Sequence, residues 1–195
     1  VPTFTWRSSM TVAREIQLIK KVNDYSLINF PVAELENYYG KTTKVKKLIG
    51  KEKLELVASG KVDLTKAVIN FKLKNLKNTT YEFQLSNEKG EVLTFGINNS
   101  DNFLFLDRSK AGNVGFSEKF SATVTKAMLE ANQKEADFKI VLDKTSIEIF
   151  YKNGEKVITE LFFTSQPFTT LSVTSNEAIE INNLEIIQLN LTKTK

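Results

Sequence analysis

Two runs, Asp107-Arg108-Ser109 and Asp143-Lys144-Thr145, each place a carboxylate at the end of an apolar, strand-like segment, and Glu148 follows shortly after the second. Two carboxylates about 5 to 10 Å apart are what glycoside hydrolysis requires, one as proton donor and one as nucleophile or base. The local chemistry points to a plainer role. An Asp followed by a basic residue and a hydroxyl makes a good turn, because the carboxylate accepts backbone N–H bonds and the neighbour offsets its charge. Alternation sets Glu148 opposite Ile147 and Ile149, on the face expected to meet solvent. No catalytic residue is assigned on this basis.

The rest of the chemical inventory is narrow. The 195 residues contain no His and no Cys, which excludes a Ser-His-Asp triad, a thiol nucleophile, an imidazole base and almost every structural zinc site. No cofactor or metal is expected. Lys and Arg number 27 against 23 Asp and Glu, and one lysine cluster falls at 41–53. Aromatic residues are not interleaved with those lysines as single-strand binding surfaces need, so the segment reads as a solvated loop and nucleic acid is not an expected partner. No apolar run is long enough for a spanning helix, and the first residues show no basic-then-apolar signal pattern.

Positions for these side chains come from strands. Val68, Ile69, Asn70, Phe71, Lys72, Leu73 and Lys74 alternate cleanly, and Tyr81 to Ser86 runs through Asn87-Glu88-Lys89-Gly90 into Val92 to Ile97 as a hairpin. Phe103 to Leu106 is the next strand. Phe138 to Leu142 and Ile147 to Tyr151 follow, the latter leading to Lys152-Asn153-Gly154-Glu155, where Asn-Gly is a strong hairpin signal. The alternating run from Ile179 to Leu191 completes the set. Helix is limited to two candidates, 31–39 and 125–133. About a dozen strands with Gly and Asx turns predict an all-β, two-sheet antiparallel sandwich, a concanavalin-like or lectin-like jelly roll. Fourteen Phe supply the core, each contributing up to about 3 kcal/mol when fully buried.

The N-terminal arm gathers the lone Trp6 with Arg7, Arg14 and Glu15. Trp beside Arg is typical of interface anchors, since the ring buries area while the guanidinium finds carboxylates. Contact with a preceding domain is the reading favoured over a first strand of the sandwich.

Three segments in order carry a resemblance: the arm from Trp6 through Arg14 and Glu15; Phe105 through Asn113 with Phe116 and Phe120 after it; and Asp143 through Phe150. Together they resemble the C-terminal part of glycoside hydrolase family 32, the levanases, inulinases and invertases, over nearly the whole chain. Ser8-Ser9 stands where Gly and a small residue are common in that family, and Ala13 where Pro is usual. The resemblance implies residues 1–20 as an arm leading from a catalytic β-propeller and 21–195 as the C-terminal β-sandwich. It places the catalytic acids on the propeller, in motifs with no counterpart here, so the chain is expected to be inactive alone. It also implies an extracellular, periplasmic or cell-surface setting. The expected partners are the propeller of the same parent chain, through Trp6, Arg7 and Arg14, and a fructan such as levan or inulin. The alternatives are a stand-alone carbohydrate-binding module, with Phe103, Tyr38, Tyr39 and Tyr151 stacking on sugar rings, or a cell-surface adhesion domain.

Overall fold

The alternation of 68–74 and 81–86 is realised within strands whose every second side chain is buried. The computed structural model describes residues 2–3, 9–22 and 24–191. Twelve strands are present among them: β1 (Arg14–Lys20), β2 (Tyr25–Pro31), β3 (Tyr39–Val57), β4 (Lys66–Lys74), β5 (Thr80–Ser86), β6 (Val92–Asn98), β7 (Phe103–Lys110), β8 (Thr125–Met128), β9 (Glu135–Asp143), β10 (Ser146–Tyr151), β11 (Lys156–Leu161) and β12 (Thr170–Leu189). Two 3₁₀ helices, Ala33–Tyr38 and Lys152–Gly154, lie between strands. The two expected hairpin turns form, with Gly90 and Gly154 at positive φ.

Strand β12, 20 residues long, organises the sandwich. Its first part pairs with β5 and its second with β4, while β3 runs along its other side through both parts. The register slips between Ser175 and Ile179, opposite Glu52 and Gly50 on β3, and Glu52 adopts a φ of 63°. Bulges bend and twist a strand pair, and here the bend folds one continuous sheet back on itself. One layer is β11-β10-β9-β4 and the other β5-β6-β7-β8, with β12 and β3 shared. At the far edges the layers are tied again. Arg108 Nη1 donates to Glu160 Oε2 at 2.7 Å and to the Leu161 carbonyl at 3.1 Å, Thr125 Oγ1 bonds Glu160 Oε1 at 2.5 Å, and Gly112 bridges to Phe163.

Between the layers lies an aromatic and aliphatic core. Phe83 sits at its centre, fully buried, with ring centroids 5.0 Å from Phe71, 5.2 Å from Phe95 and 5.7 Å from Phe138. Such pairs add about 0.5–1.5 kcal/mol each beyond the area they bury.

Three sequence expectations change. Residues 41–53 are not a loop but most of β3. Val45 and Leu48 pair opposite Leu184 and Ile181 while the lysines face outward. Lys44 and Lys47 reach Glu185 and Glu180 at 2.6 and 2.8 Å. Among the described residues β3 pairs with no strand other than β12, so its lysines guard an open edge, a common defence against edge-to-edge association. No helix forms over 125–133: Thr125–Met128 is strand β8, which completes the ladder offered by Phe103 to Leu106, and 129–133 follow as irregular chain. The 31–39 segment makes a 3₁₀ helix over Ala33–Tyr38, with Pro31 closing β2 instead of opening a helix.

Replacing Phe83 by Ala removes the ring shared by three aromatic neighbours. The variant is expected to lose about 3–5 kcal/mol of stability, read by denaturant unfolding; a loss below about 1 kcal/mol would contradict this description of the core.

Candidate functional site

Alternation gives the β11-β10-β9-β4 layer an outer face as well as a core face. On its outer side Val68, Val141, Phe150, Ile187 and Leu189 form a second apolar cluster, covered by Val12, Phe30, Leu35, Tyr39 and Val157. The cover is the chain entering at Val12, the β1–β2 hairpin and the first 3₁₀ helix. Phe30 meets Phe150 edge-on at 5.7 Å. Gly154, at φ +87°, admits the hairpin closely: a Cβ there would stand 2.3 Å from the Asn29 carbonyl oxygen.

Glu148 lies under this cover. Its side is the one that alternation predicts, opposite Ile147 and Ile149, but that side is not solvent and Glu148 is only 4% exposed. The expectation of a solvent-facing Glu148 is therefore corrected. One carboxylate oxygen accepts the Val12 backbone N–H at 2.8 Å and the other accepts Arg14 Nη2. Arg14 also donates to Thr159 Oγ1 at 2.7 Å and lies 5.0 Å from the Phe150 ring centroid. The pair fastens the arm to the sheet: removing one partner of such a buried, hydrogen-bonded pair costs about 3–5 kcal/mol.

The opposite side of the hairpin is bare. Register places Leu18 across from Leu27, with Ile16 and Tyr25 on the same face. All four are more than half exposed, at 65% for Ile16, 66% for Leu18, 58% for Tyr25 and 55% for Leu27. Among the described residues strands β1 and β2 pair only with each other, and a lone two-stranded sheet is marginal without something packed on its apolar face.

Beyond the hairpin, the outer face turns polar. A row across the strands runs Lys44, Glu185, Asn70, Lys139, and a second runs Lys47, Asn182, Lys72, Asp137. A bulge at Asn183, φ 52°, lets both rows face outward although β12 changes parity between them. The first row, with Lys72 and Asp137 of the second, floors an open groove of about 640 Å³ walled by Phe30 and Asn153. Lys72 pairs with Asp137 at 2.9 Å. Lys139 has no ion-pair partner among the described residues; it donates to the Tyr39 hydroxyl at 3.3 Å and stands 5.1 Å from the Phe30 ring centroid. Burial lowers its pKa, opposed by Glu36 and Glu185.

The residues singled out from sequence are dispersed. Trp6 and Arg7 lie outside the described residues, and Arg14 is committed to Glu148 and Thr159 within the chain. Tyr151 is corrected as a stacking candidate: it is 2% exposed, packs on Phe138 and donates to Gln133 at 3.3 Å, and burial raises its pKa. Tyr38 is partly exposed at the end of the 3₁₀ helix, and Tyr39 is half-buried, its hydroxyl pushed up to about 12 by burial. Phe103 lies on the other layer, beneath the Lys126 ammonium at 4.3 Å. The four rings form no common row. Asp107 lies within β7 and accepts the Ser109 N–H at 2.8 Å, the turn-like bond its sequence suggested, and Asp143 is exposed at the end of β9. Sequence reasoning missed Asn70, Lys139 and Glu185, which look like ordinary outward members of alternating strands.

Substituting Gly154 by Ala puts a methyl against the Asn29 carbonyl at a positive φ. The expected result is a loss of more than about 1 kcal/mol with faster amide exchange over residues 14–31; unchanged exchange there would show that the hairpin is not held at this point.

Comparison with known proteins places this architecture. The family model for the glycosyl hydrolases family 32 C terminal matches residues 34–188. Levanase from Bacillus subtilis is 26% identical over 188 residues, covering 95% of this chain and 28% of that protein. Extracellular exo-inulinase from Aspergillus awamori is 25% identical over 173 residues, covering 85% and 31%. The crystal structure of exo-inulinase from Aspergillus awamori superposes with a TM-score of 0.79 at 21% identity over 97% of this chain and 37% of that one. The beta-fructofuranosidase from Schwanniomyces occidentalis gives 0.77 at 22% over 97% and 42%. The chain thus spans roughly a third of the length of these relatives. With the family model matched over most of its length and the sandwich shared, the chain belongs to glycoside hydrolase family 32, as its C-terminal domain.

Proposed function

We propose that this chain is the non-catalytic C-terminal module of a fructan-hydrolysing glycosidase acting outside the cell, and that its task is to support a catalytic module preceding it in the same parent chain. The observation that carries this reading is the bare face of the β1–β2 hairpin. Four apolar side chains stand exposed on one face of a two-stranded sheet whose other face reaches the sandwich through Phe30 and leaves Ile19 45% exposed. The hairpin ends at Pro31, just before residue 34, where the match to the C-terminal family model begins. A strand pair outside that match, fastened to the sandwich yet presenting apolar surface away from it, has the form of a coupling between two modules. Trp6 and Arg7, which precede it in the sequence, are proposed for the same contact, while Arg14 holds the coupling to the sandwich from within.

Several relatives are named for fructan cleavage, as levanase and extracellular exo-inulinase. In a parent of that kind the hydrolysis is retaining, by double displacement at fructose with two carboxylates. Three carboxylates of this chain have structural partners: Glu148 clasps Arg14, Glu160 ties the layer edges together and Asp107 closes a local turn.

Two measurements test the proposal. The isolated chain is expected to release no fructose from levan, inulin or sucrose; release would overturn the non-catalytic role. Supplied as a separate polypeptide, the preceding part of the parent enzyme is expected to bind the chain. Leu18→Lys with Leu27→Lys should weaken that binding at least about tenfold, since each places a charge in an apolar contact. Equal binding by the variant would remove the hairpin from the interface.

A further inference from the structure

We infer that the groove between the hairpin and the β3 edge is an anion site that binds a phosphate group, free or carried on a small organic molecule. Charge is the first ground. Four lysines and two carboxylates line the groove, and both carboxylates are already engaged: Glu185 holds Lys44 at 2.6 Å and Asp137 holds Lys72 at 2.9 Å. Lys46 and Lys139 have no ion-pair partner among the described residues. The groove therefore carries two uncompensated positive charges and no uncompensated negative one.

The two free ammoniums sit in different settings. Lys46 stands exposed on β3, at the rim. Lys139 is half-buried on β9, where its ammonium meets one neutral hydroxyl, that of Tyr39 at 3.3 Å, and the faces of Phe30 and Tyr39. Glu36 and Glu185 favour its charged form without pairing with it. An ammonium has three N–H donors, so Lys139 keeps donor capacity, and a counter-charge beside it gains more than one at an open surface does. Neutral donors stand close by. Asn153 in the turn after β10 and Asn183 at the β12 bulge line the groove, both exposed, and neither makes a side-chain hydrogen bond among the described residues. A carboxylate would bring one negative charge and two oxygens, leaving one ammonium unmatched. A phosphate monoester brings about 1.5 to 2 negative charges near neutral pH and three strong acceptor oxygens, which matches two ammoniums and the amides beside them. At about 640 Å³ the groove also has room for an organic carrier against the Phe30 wall.

The test is an amide NMR titration of the full chain at low ionic strength with glycerol 3-phosphate, inorganic phosphate and glycerol in parallel. Saturable shifts grouped around residues 44, 46, 139, 153 and 183 are expected with both phosphates and none with glycerol; the tighter of the two phosphates identifies the source, monoester or free ion. Lys46→Met and Lys139→Met should each weaken the response at least about fivefold, the loss of one charge-assisted hydrogen bond. Lys126→Met, on the other layer, should leave it unchanged. Lys46 is exposed, so its variant reads the site even where Lys139→Met disturbs the packing around Phe30. No saturable shift with either phosphate, shifts scattered over lysines of the whole surface, an equal response to glycerol, or an undiminished response in Lys46→Met would overturn the inference. The titration needs no second module, so failure of the hairpin to couple to one leaves this result readable by itself.

Discussion

A sheet with apolar side chains on both faces has to be covered on both, and the β11-β10-β9-β4 layer is such a sheet. Its inner face meets the other layer through Ile69, Phe71, Phe138 and Ile149. Its outer face carries Val68, Val141 and Phe150, which nothing in the sandwich proper can reach. The arm and hairpin supply the missing cover, and the Arg14 and Glu148 pair fixes where that cover sits. The desolvation of Glu148 is offset by two hydrogen bonds and a full counter-charge, a combination that a chain keeps only when both partners are held in place.

From that constraint the two open surfaces follow. A hairpin that spends one face on the sandwich has its other face left over, and in this sequence that face is Ile16, Leu18, Tyr25 and Leu27. The hairpin is also too short to cover the whole layer. Where it stops, the outward positions change from Val68 and Val141 to Asn70, Lys72 and Lys139, and a polar groove remains between Phe30 and the lysine-lined edge of β3. Coupling surface and groove are thus two consequences of one partial cover. The bend in β12 has a similar economy, since one long strand with a slip at Ser175 and Ile179 serves both layers.

Much of this was legible in the residues. Alternation in 68–74, 81–86 and 138–142 located strands and core, and Gly90 and Gly154 marked the hairpins correctly because positive φ leaves few alternatives. The three ordered segments from Trp6 to Phe150 carried the family. Strand β3 is hard to read because Lys46-Lys47 breaks the period of two and the strand bulges between Gly50 and Glu52. Strand β8 was hidden because a four-residue edge strand is decided by the ladder beside it and not by its own pattern. For Glu148, alternation yields the face but is silent on what lies over that face, and its partners Val12 and Arg14 are more than a hundred residues away. The groove was invisible for the same reason: Asn70 and Lys139 read as solvent-facing until the hairpin gives them a wall.

The claim that the arm is an integral cover, fastened by a buried ion pair, is most directly tested by a double-mutant cycle on Arg14 and Glu148, using Arg14→Met and Glu148→Gln with equilibrium unfolding as the readout. A coupling energy of at least about 1.5 kcal/mol is predicted, well above the 0.2–1 kcal/mol or so that exposed ion pairs give. Additivity within about 0.5 kcal/mol would show that the two charges meet without holding the arm in place, and would contradict the account.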